Sequence, residues 1–147
     1  MGFDTNLQIL RQTSYNFGFL ISQATVDIVI ANAIDVSWVK TIGLSGRVHR
    51  ANIGINSAKY EFLLFGVNPS PTDGTDFTTL ITAPLATSAA INNGSVAGNI
   101  VTWSTGAVYS DPAHPFARIV LRATGPTIAT PGNLYAELSA SISLRGP

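Results

Sequence analysis

The residues best placed to do chemistry are Asp111 and His114, which stand close together in the segment DPAHP. A histidine near an aspartate is a familiar general-base pairing in hydrolases. Such a site also needs a nucleophile on a sharp turn and an oxyanion hole, and the sequence contains no G-x-S-x-G. The segment GLSG at residues 43–46 has the wrong spacing. The flanking prolines favour a loop, so the sequence predicts no catalytic residues and no enzymatic activity.

Metal coordination is the second chemistry that the sequence suggests. His49 lies between Arg47 and Arg50 in a predicted strand, with no second histidine or acidic pair nearby. Asp73 and Asp76 in PTDGTDF offer carboxylates, but two are too few for a calcium loop and Asp-Gly is a common turn dipeptide. The chain has no cysteine, which excludes disulfides and thiolate sites. We therefore predict no metal and no cofactor.

Aromatic side chains offer a third possibility, a platform on which sugar rings stack. Trp38, Trp103 or Tyr109 would have to stand exposed in a row to form it. Aromatic residues on sheets more often fill a core or anchor an interface, because each buries about 150–250 Å². A carbohydrate-binding, lectin-like module is therefore an alternative function, to be tested by loss of glycan binding in Trp103→Ala.

The composition points to assembly more than to chemistry. Only 11% of the residues are charged, whereas about 25% is usual in globular domains. A surface so poor in charge would be sticky if it all faced water, so we expect neighbouring copies or a larger assembly to cover much of it. Basic and acidic residues balance at eight each. Nucleic acid is thus a poor partner, since phosphate contacts need a basic surface.

No membrane partner is predicted either. The most apolar stretch, residues 17–34, is interrupted by polar residues such as Ser22 and Asp27, well before the roughly 20 apolar residues that a membrane helix needs. The first residues, MGFDTNLQIL, lack the positively charged start of a secretory signal. We therefore expect no secretory leader.

Alternating polarity predicts β-strands through most of the chain. It is clearest at Leu134–Leu144, where every second residue is apolar. Phe116–Ala123 is predicted as its hairpin partner across a loop rich in glycine and proline, and the uncharged segment at residues 83–98 is predicted as a solvated loop. Short strands with regular turn signals predict an all-β fold, an antiparallel β-sandwich of jelly-roll type. The remaining predicted strands lie at residues 25–30, 34–41, 47–55, 60–66, 77–82 and 99–104.

The predicted domain organisation is an extended N-terminal arm, residues 1–24, followed by a sandwich domain, residues 25–147. The arm is too apolar to stay free in water, so we expect it to pack onto a neighbouring subunit or a capsid shell. Sparse charges on strand faces are expected to pair across strands or between subunits, because buried charges need partners. The predicted interface residues are Phe3, Leu7, Leu10, Tyr15, Phe17, Phe19, Arg47, His49, Arg118, Arg122 and Glu137.

Residues 51–144 resemble the cement or decoration proteins of tailed bacteriophages. The resemblance rests on YEFLLFGVNPSPTDGTDFTTL, a small-residue segment, and HPFARIVLRATGPTIATPGNLYAELSASISL. It implies a β-sandwich on the outer capsid surface of a virion, a homotrimer that has the major capsid protein as its partner and clamps adjacent capsomers. It transfers no catalytic or binding residues. A second alternative is a fibre, pilus or tail-tube subunit whose arm completes a neighbour's sheet.

Overall fold

The computed structural model describes residues 4–17, 24–51, 59–67, 84–88, 91–92, 101–109, 115–125 and 135–147. Every regular element in these ranges is a β-strand, and none of these residues forms a helix that could cross a membrane. The strands are β1 (Asp4–Asn16), β2 (Thr25–Asp35), β3 (Thr41–Ala51), β4 (Lys59–Val67), β5 (Ala86–Thr87), β6 (Ile91–Asn92), β7 (Val101–Tyr109), β8 (Phe116–Thr124) and β9 (Tyr135–Arg145).

The strands form two antiparallel sheets. Sheet I has the order β1-β9-β3-β7, and sheet II has the order β2-β8-β4-β5 with β6 also paired to β4. The chain passes from one sheet to the other at most of its connections, so β1 to β4 alternate between the sheets, as do β7 to β9. This wrapping order is that of a jelly roll. The predicted all-β sandwich is therefore confirmed.

The core lies between the inner faces of the two sheets. On β9, Ala136, Leu138, Ala140, Ile142 and Leu144 are buried, while the residues between them are not. This is the alternation predicted for the segment, because successive side chains of a strand point to opposite faces. The other fully buried large side chains are Tyr60, Phe62 and Leu64 of β4, Ile119 and Leu121 of β8, and Ile42, Leu44 and Val48 of β3.

Aromatic contacts close one end of the sandwich. The Phe17 ring lies between Tyr15 and Tyr60, with ring centroids 6.2 Å and 5.7 Å away. The Tyr60 hydroxyl, on sheet II, donates a 3.0 Å hydrogen bond to the carbonyl of Tyr135 at the start of β9. This bond ties the two sheets together. Partial burial of Tyr15 raises the pKa of its phenol above the ordinary value.

The predicted hairpin between the last two strands is wrong. Both segments are strands, but β8 pairs with β2 and β4 in sheet II, while β9 pairs with β1 and β3 in sheet I. Alternation identifies the apolar face of each strand but does not say which strand lies beside it. In a sandwich two apolar faces meet across the core as well as within a sheet, and the long connection allows the crossing.

The predicted strand at residues 34–41 is also wrong in its extent, because β2 ends at Asp35 and β3 begins at Thr41. The Ser37 backbone N–H and hydroxyl donate to Asp35 Oδ1 at 3.0 Å and 2.7 Å. Aspartate commonly makes such turns by bonding the backbone two residues on. The bond from the Ser37 hydroxyl, followed by that from its N–H, holds the pKa of the Asp35 carboxyl below its ordinary value.

The small-residue segment, predicted as a solvated loop, contributes short strands instead. β5 pairs with Leu63 and Leu64 of β4, and β6 pairs with Lys59 and Tyr60. Ser88 is buried: its hydroxyl accepts a 2.9 Å bond from the Phe62 N–H, and its own N–H donates to the Phe62 carbonyl. Small side chains let this segment approach the edge of β4 closely. The predicted strand at residues 77–82 lies outside the described residues.

Residues 4–16, predicted as part of an arm, form the edge strand β1 of sheet I. They pair with β9 from Asp4↔Arg145 to Asn16↔Tyr135, with two register shifts. Ile9, Leu10 and Tyr15 pack against the chain's own core. In the single chain this segment thus covers its own sheet and not a neighbour, because β9 would otherwise present an unpaired edge. The division into an arm at residues 1–24 and a sandwich at 25–147 stays a prediction about the assembled protein.

Candidate functional site

Charged residues on the outward face of sheet II form a cross-strand row. Arg122 of β8 donates two hydrogen bonds to Asp27 of β2, from Nε to Oδ1 at 2.7 Å and from Nη2 to Oδ2 at 2.8 Å. Glu61 of β4 stands opposite Arg122 on its other side, and Lys59 Nζ lies 3.2 Å from Glu61. The hydrogen bond to Asp27 raises the pKa of the Arg122 guanidinium. These charged residues pair across strands within one chain. Pairing across strands is one of the two kinds predicted, the other being pairing between subunits.

Asp27→Asn should have a small effect, in spite of the bidentate geometry. Both side chains are more than one third exposed, and exposed ion pairs contribute about 0.2–1 kcal/mol. We expect the free energy of unfolding to fall by less than about 1 kcal/mol, and by less still in high salt. Urea unfolding at low and high ionic strength measures this. A loss of several kcal/mol would show that the pair is shielded from solvent.

Arg118 lies on the same outward face but is only 4% exposed. Its Nη2 donates to Asn32 Oδ1 at 2.6 Å and its Nε to the Asn32 carbonyl at 3.4 Å. A buried guanidinium needs such partners because desolvation of the charge is costly. Beside it runs an apolar row of Val29, Val120 and Leu63, aligned by strand register. Val29 is 50% exposed, so this row reaches the surface at its β2 end.

The outward-facing side chains that the structure describes on β3 and β9 of sheet I are mostly polar. Two adjacent depressions share Ser45 on this face. The larger, of about 500 Å³, lies over β1, β9 and the second half of β3. The smaller, of about 210 Å³, lies toward the start of β3 and the end of β9. The larger is lined by Gln8, Gln12, Ser45, Gly46, Arg47, His49, Ser139 and Ser141, and the smaller by Thr41, Gly43, Leu44, Ser45, Ser104, Ser143 and Arg145.

Internal hydrogen bonds orient part of this polar face. His49 Nε2 lies 3.1 Å from the Ser139 hydroxyl. The Gln12 amide donates to Glu137 Oε1. Arg47 stands opposite Ser139, and Ser45 opposite Ser141, in the register of β3 and β9. The two depressions therefore present the guanidinium groups of Arg47 and Arg145 among hydroxyl and amide groups.

The predicted interface residues fall in different environments, and their roles stay predictions. Leu7 is 44% exposed on β1, Arg47 is exposed on β3, and His49, Arg122 and Glu137 are half-buried on outward faces. Phe17 and Arg118 are buried in the chain itself. Leu10 and Tyr15 pack on the core, and Phe3 and Phe19 lie outside the described residues. The structure thus brings Arg47, His49 and Glu137 together on the polar face of sheet I and places Arg118 and Arg122 on the opposite sheet.

Sequence reasoning missed the glutamines and serines of this face. The alternation of β9 does place Ser139, Ser141 and Ser143 on its outward side. Nothing in the sequence indicates that β1 and β3 flank β9, and only that pairing puts Gln8 and Arg47 on either side of the serines. The alternating serines of β9 were therefore the one sequence signal that pointed to this polar face.

The aromatic platform stays a prediction, because Trp38 is the one member of its three residues whose side chain the structure describes. Trp38 is 36% exposed just before β3, at the end of sheet I where Thr41 pairs with Arg145. Tyr135 is 41% exposed at the opposite end of β9. The side chains of Trp103 and Tyr109 lie outside the description. Among the described residues no three His, Asp or Glu side chains cluster as metal ligands, and Asp73, Asp76, Asp111 and His114 fall outside them.

The fold defines the class: a jelly-roll β-sandwich of two antiparallel sheets. No family model and no curated protein sequence matches the chain. Solved structures of similar fold include chains of virus particles. One, from infectious bursal disease virus Gx strain, has a TM-score of 0.62 at 13% identity. The match covers 99% of this chain and 32% of the viral chain. The VP2 subviral particle of infectious bursal disease virus has a TM-score of 0.51 at 11% identity, with 98% and 32% covered. The chain thus spans about a third of these relatives, and the likeness establishes the fold.

Proposed function

We propose that this protein is a structural component of a virus particle, and that it acts as a cement or decoration protein on the outer capsid surface. The observation that carries the proposal is the jelly-roll strand order, shared over 99% of this chain with a viral capsid chain at a TM-score of 0.62. The resemblance of residues 51–144 to phage decoration proteins agrees with it. The role would be mechanical: bridging capsomers by burying surface area.

Two physical features support an assembled state. The chain is only 11% charged and formally neutral, so long-range repulsion between copies is weak. The apolar row Val29–Val120–Leu63 on the outward face of sheet II opens to solvent at Val29. Contact with a partner would bury the exposed side chain of Val29 and so remove its apolar surface from water. A homotrimer that contacts the major capsid protein through such a face is the arrangement we propose.

Two measurements test this function. Light scattering and electron microscopy of the purified chain should show a small closed oligomer, such as a trimer. Closed shells formed by the chain alone would make it a shell-forming protein, and open-ended polymers would favour the fibre or tail-tube alternative. Mass spectrometry of purified particles should then find a copy number near that of the main shell protein, or one trimer per capsomer junction. Absence from the particles would refute a virion role.

A further inference from the structure

The outward face of sheet I carries a continuous polar track between two arginines, which we call the serine track. It is defined by Arg47, Ser45, Ser139, Ser141, Ser143 and Arg145. Arg47 stands opposite Ser139, and Arg145 lies six residues further along β9. At about 3.3 Å per residue the track is roughly 20 Å long. Gln8, on β1, borders it beside Ser141. The two depressions described above form its floor.

The charges at both ends of the track are available to a ligand. Arg47 and Arg145 are exposed, and within the described ranges neither guanidinium has a hydrogen bond or an ion pair. The arginines of sheet II differ, since Arg122 is held by Asp27 and Arg118 by Asn32. Unsatisfied guanidinium groups are strong bidentate partners for carboxylates. The track therefore has two points where an anionic group can bind.

The groups between the two arginines have a distinct chemistry. In the part of the chain that the structure describes, the hydroxyls of Ser45 and Ser141 and the amide of Gln8 have no side-chain partner. Hydroxyl and amide groups both donate and accept hydrogen bonds, as the hydroxyls of a sugar do. His49 and Gln12 at the edge are oriented by Ser139 and Glu137. These hydrogen bonds hold the His49 and Gln12 side chains beside the track.

The spacing of the positive charges selects among anionic ligands. Two arginines along roughly 20 Å are far too sparse for nucleic acid, which carries one charge per about 1.7 Å of duplex. Among the described residues that line the track, Leu44 is the one large apolar side chain, whereas peptide recognition uses a series of pockets for alternate side chains. A saccharide with occasional carboxylates matches both the sparse charge and the hydroxyl-rich floor. From this geometry we propose that the serine track binds an acidic, carboxylate-bearing oligosaccharide.

In this site Arg47 and Arg145 would each pair with a sugar carboxylate through parallel N–H···O bonds. Ser45, Ser141 and Gln8 would bond the ring hydroxyls between them. The inference does not depend on the virion role, because it uses only the face of sheet I. It also differs from the aromatic platform, since the site uses arginine, serine and glutamine side chains and Trp38 is not among the described residues that line the two depressions.

The test uses the full chain, a short hyaluronan oligosaccharide, which bears a carboxylate on every second sugar, and the methyl ester of the same oligosaccharide, which has no charge. Isothermal titration calorimetry should show binding of the acidic form and at least tenfold weaker binding of the ester. Arg47→Gln and Arg145→Gln should each weaken the acidic form at least tenfold, because a charge-assisted bidentate pair is lost. Lys59→Gln, which removes a charge from the outward face of sheet II, is the matched control and should bind as the parent does.

Each other result overturns the proposal. Equal binding of acid and ester, or no binding of either, would show that the track does not recognise carboxylates. Unchanged affinity in Arg47→Gln and Arg145→Gln would place the binding elsewhere. A changed oligomeric state in these variants, measured by light scattering without any change in sugar binding, would make the face a contact between copies. Thermal melting must show that the variants stay folded, which we expect because both arginines are exposed.

Discussion

Phe62→Ala should lower the free energy of unfolding by about 3–5 kcal/mol, the range for removing a buried aromatic ring. Phe62 lies at the middle of β4, is 0% exposed and faces sheet I across the core. Alanine would leave a cavity that neighbouring strands cannot close without breaking their ladders. Urea unfolding followed by circular dichroism measures the loss. Because small domains have only about 5–15 kcal/mol of stability, part of the population is expected to unfold at physiological temperature.

Phe65→Ala is the matched control, because it makes the same chemical change on the same strand. Phe65 is half-buried and, by alternation, on the outward face opposite Arg118. Phe65→Ala should lower the free energy of unfolding clearly less than Phe62→Ala does, because the Phe65 ring makes fewer contacts and its removal leaves no closed cavity. Equal losses at the two positions would contradict the assignment of the faces of β4.

Deleting residues 2–16 should abolish the folded monomer. The deletion removes β1, leaves the edge of β9 unpaired and uncovers the core beside Ile9, Leu10 and Tyr15. Burial of one large apolar side chain contributes about 1.5–3 kcal/mol, so even the partial burial of these three is comparable with the total stability. Circular dichroism should show a lost or much earlier thermal transition. Light scattering should show association through the open β9 edge.

The control for this experiment is deletion of residues 2–3, which leaves β1 intact and should preserve the thermal transition. A synthetic peptide of residues 4–16 should restore part of the transition by adding the missing strand. If the truncated chain instead melts as the parent does, and only its oligomeric state or virion attachment changes, the segment is an arm after all. The experiment therefore decides between the edge strand and the predicted arm.

The amphipathic strands were predictable from sequence, and their partners were not. The alternation at residues 134–144 correctly predicted the buried face of β9, because a period of two is a local property of an extended chain. The neighbours of β9 are β1 and β3, far away in sequence. Their pairing depends on contacts of high sequence separation, for which residue periodicity carries no signal. The mistaken hairpin of β8 and β9 has this cause.

The candidate site divides in the same way. Arg47 and His49 could be assigned to one strand face, and the serines of β9 to another, from alternation alone. That these two faces are one surface follows only from the antiparallel register of β3 with β9. An interface role for Arg118 stays a prediction, and nothing in the sequence indicated that Asn32 on β2 would accept a hydrogen bond from its guanidinium. Buried polar groups are satisfied by the groups that the fold places beside them.

The sequence by itself determined the composition-level facts: a charge-poor, neutral, cysteine-free chain of short amphipathic strands, and hence an all-β sandwich. The tertiary structure decided which strands share a sheet and that residues 4–16 complete sheet I. It also placed Arg47 and Arg145, which have no side-chain partner among the described residues, at the two ends of one serine track. The physical reason is one of range. Side-chain alternation is set by each strand's own backbone, whereas a surface is made by strands that meet only when the whole chain wraps around its core.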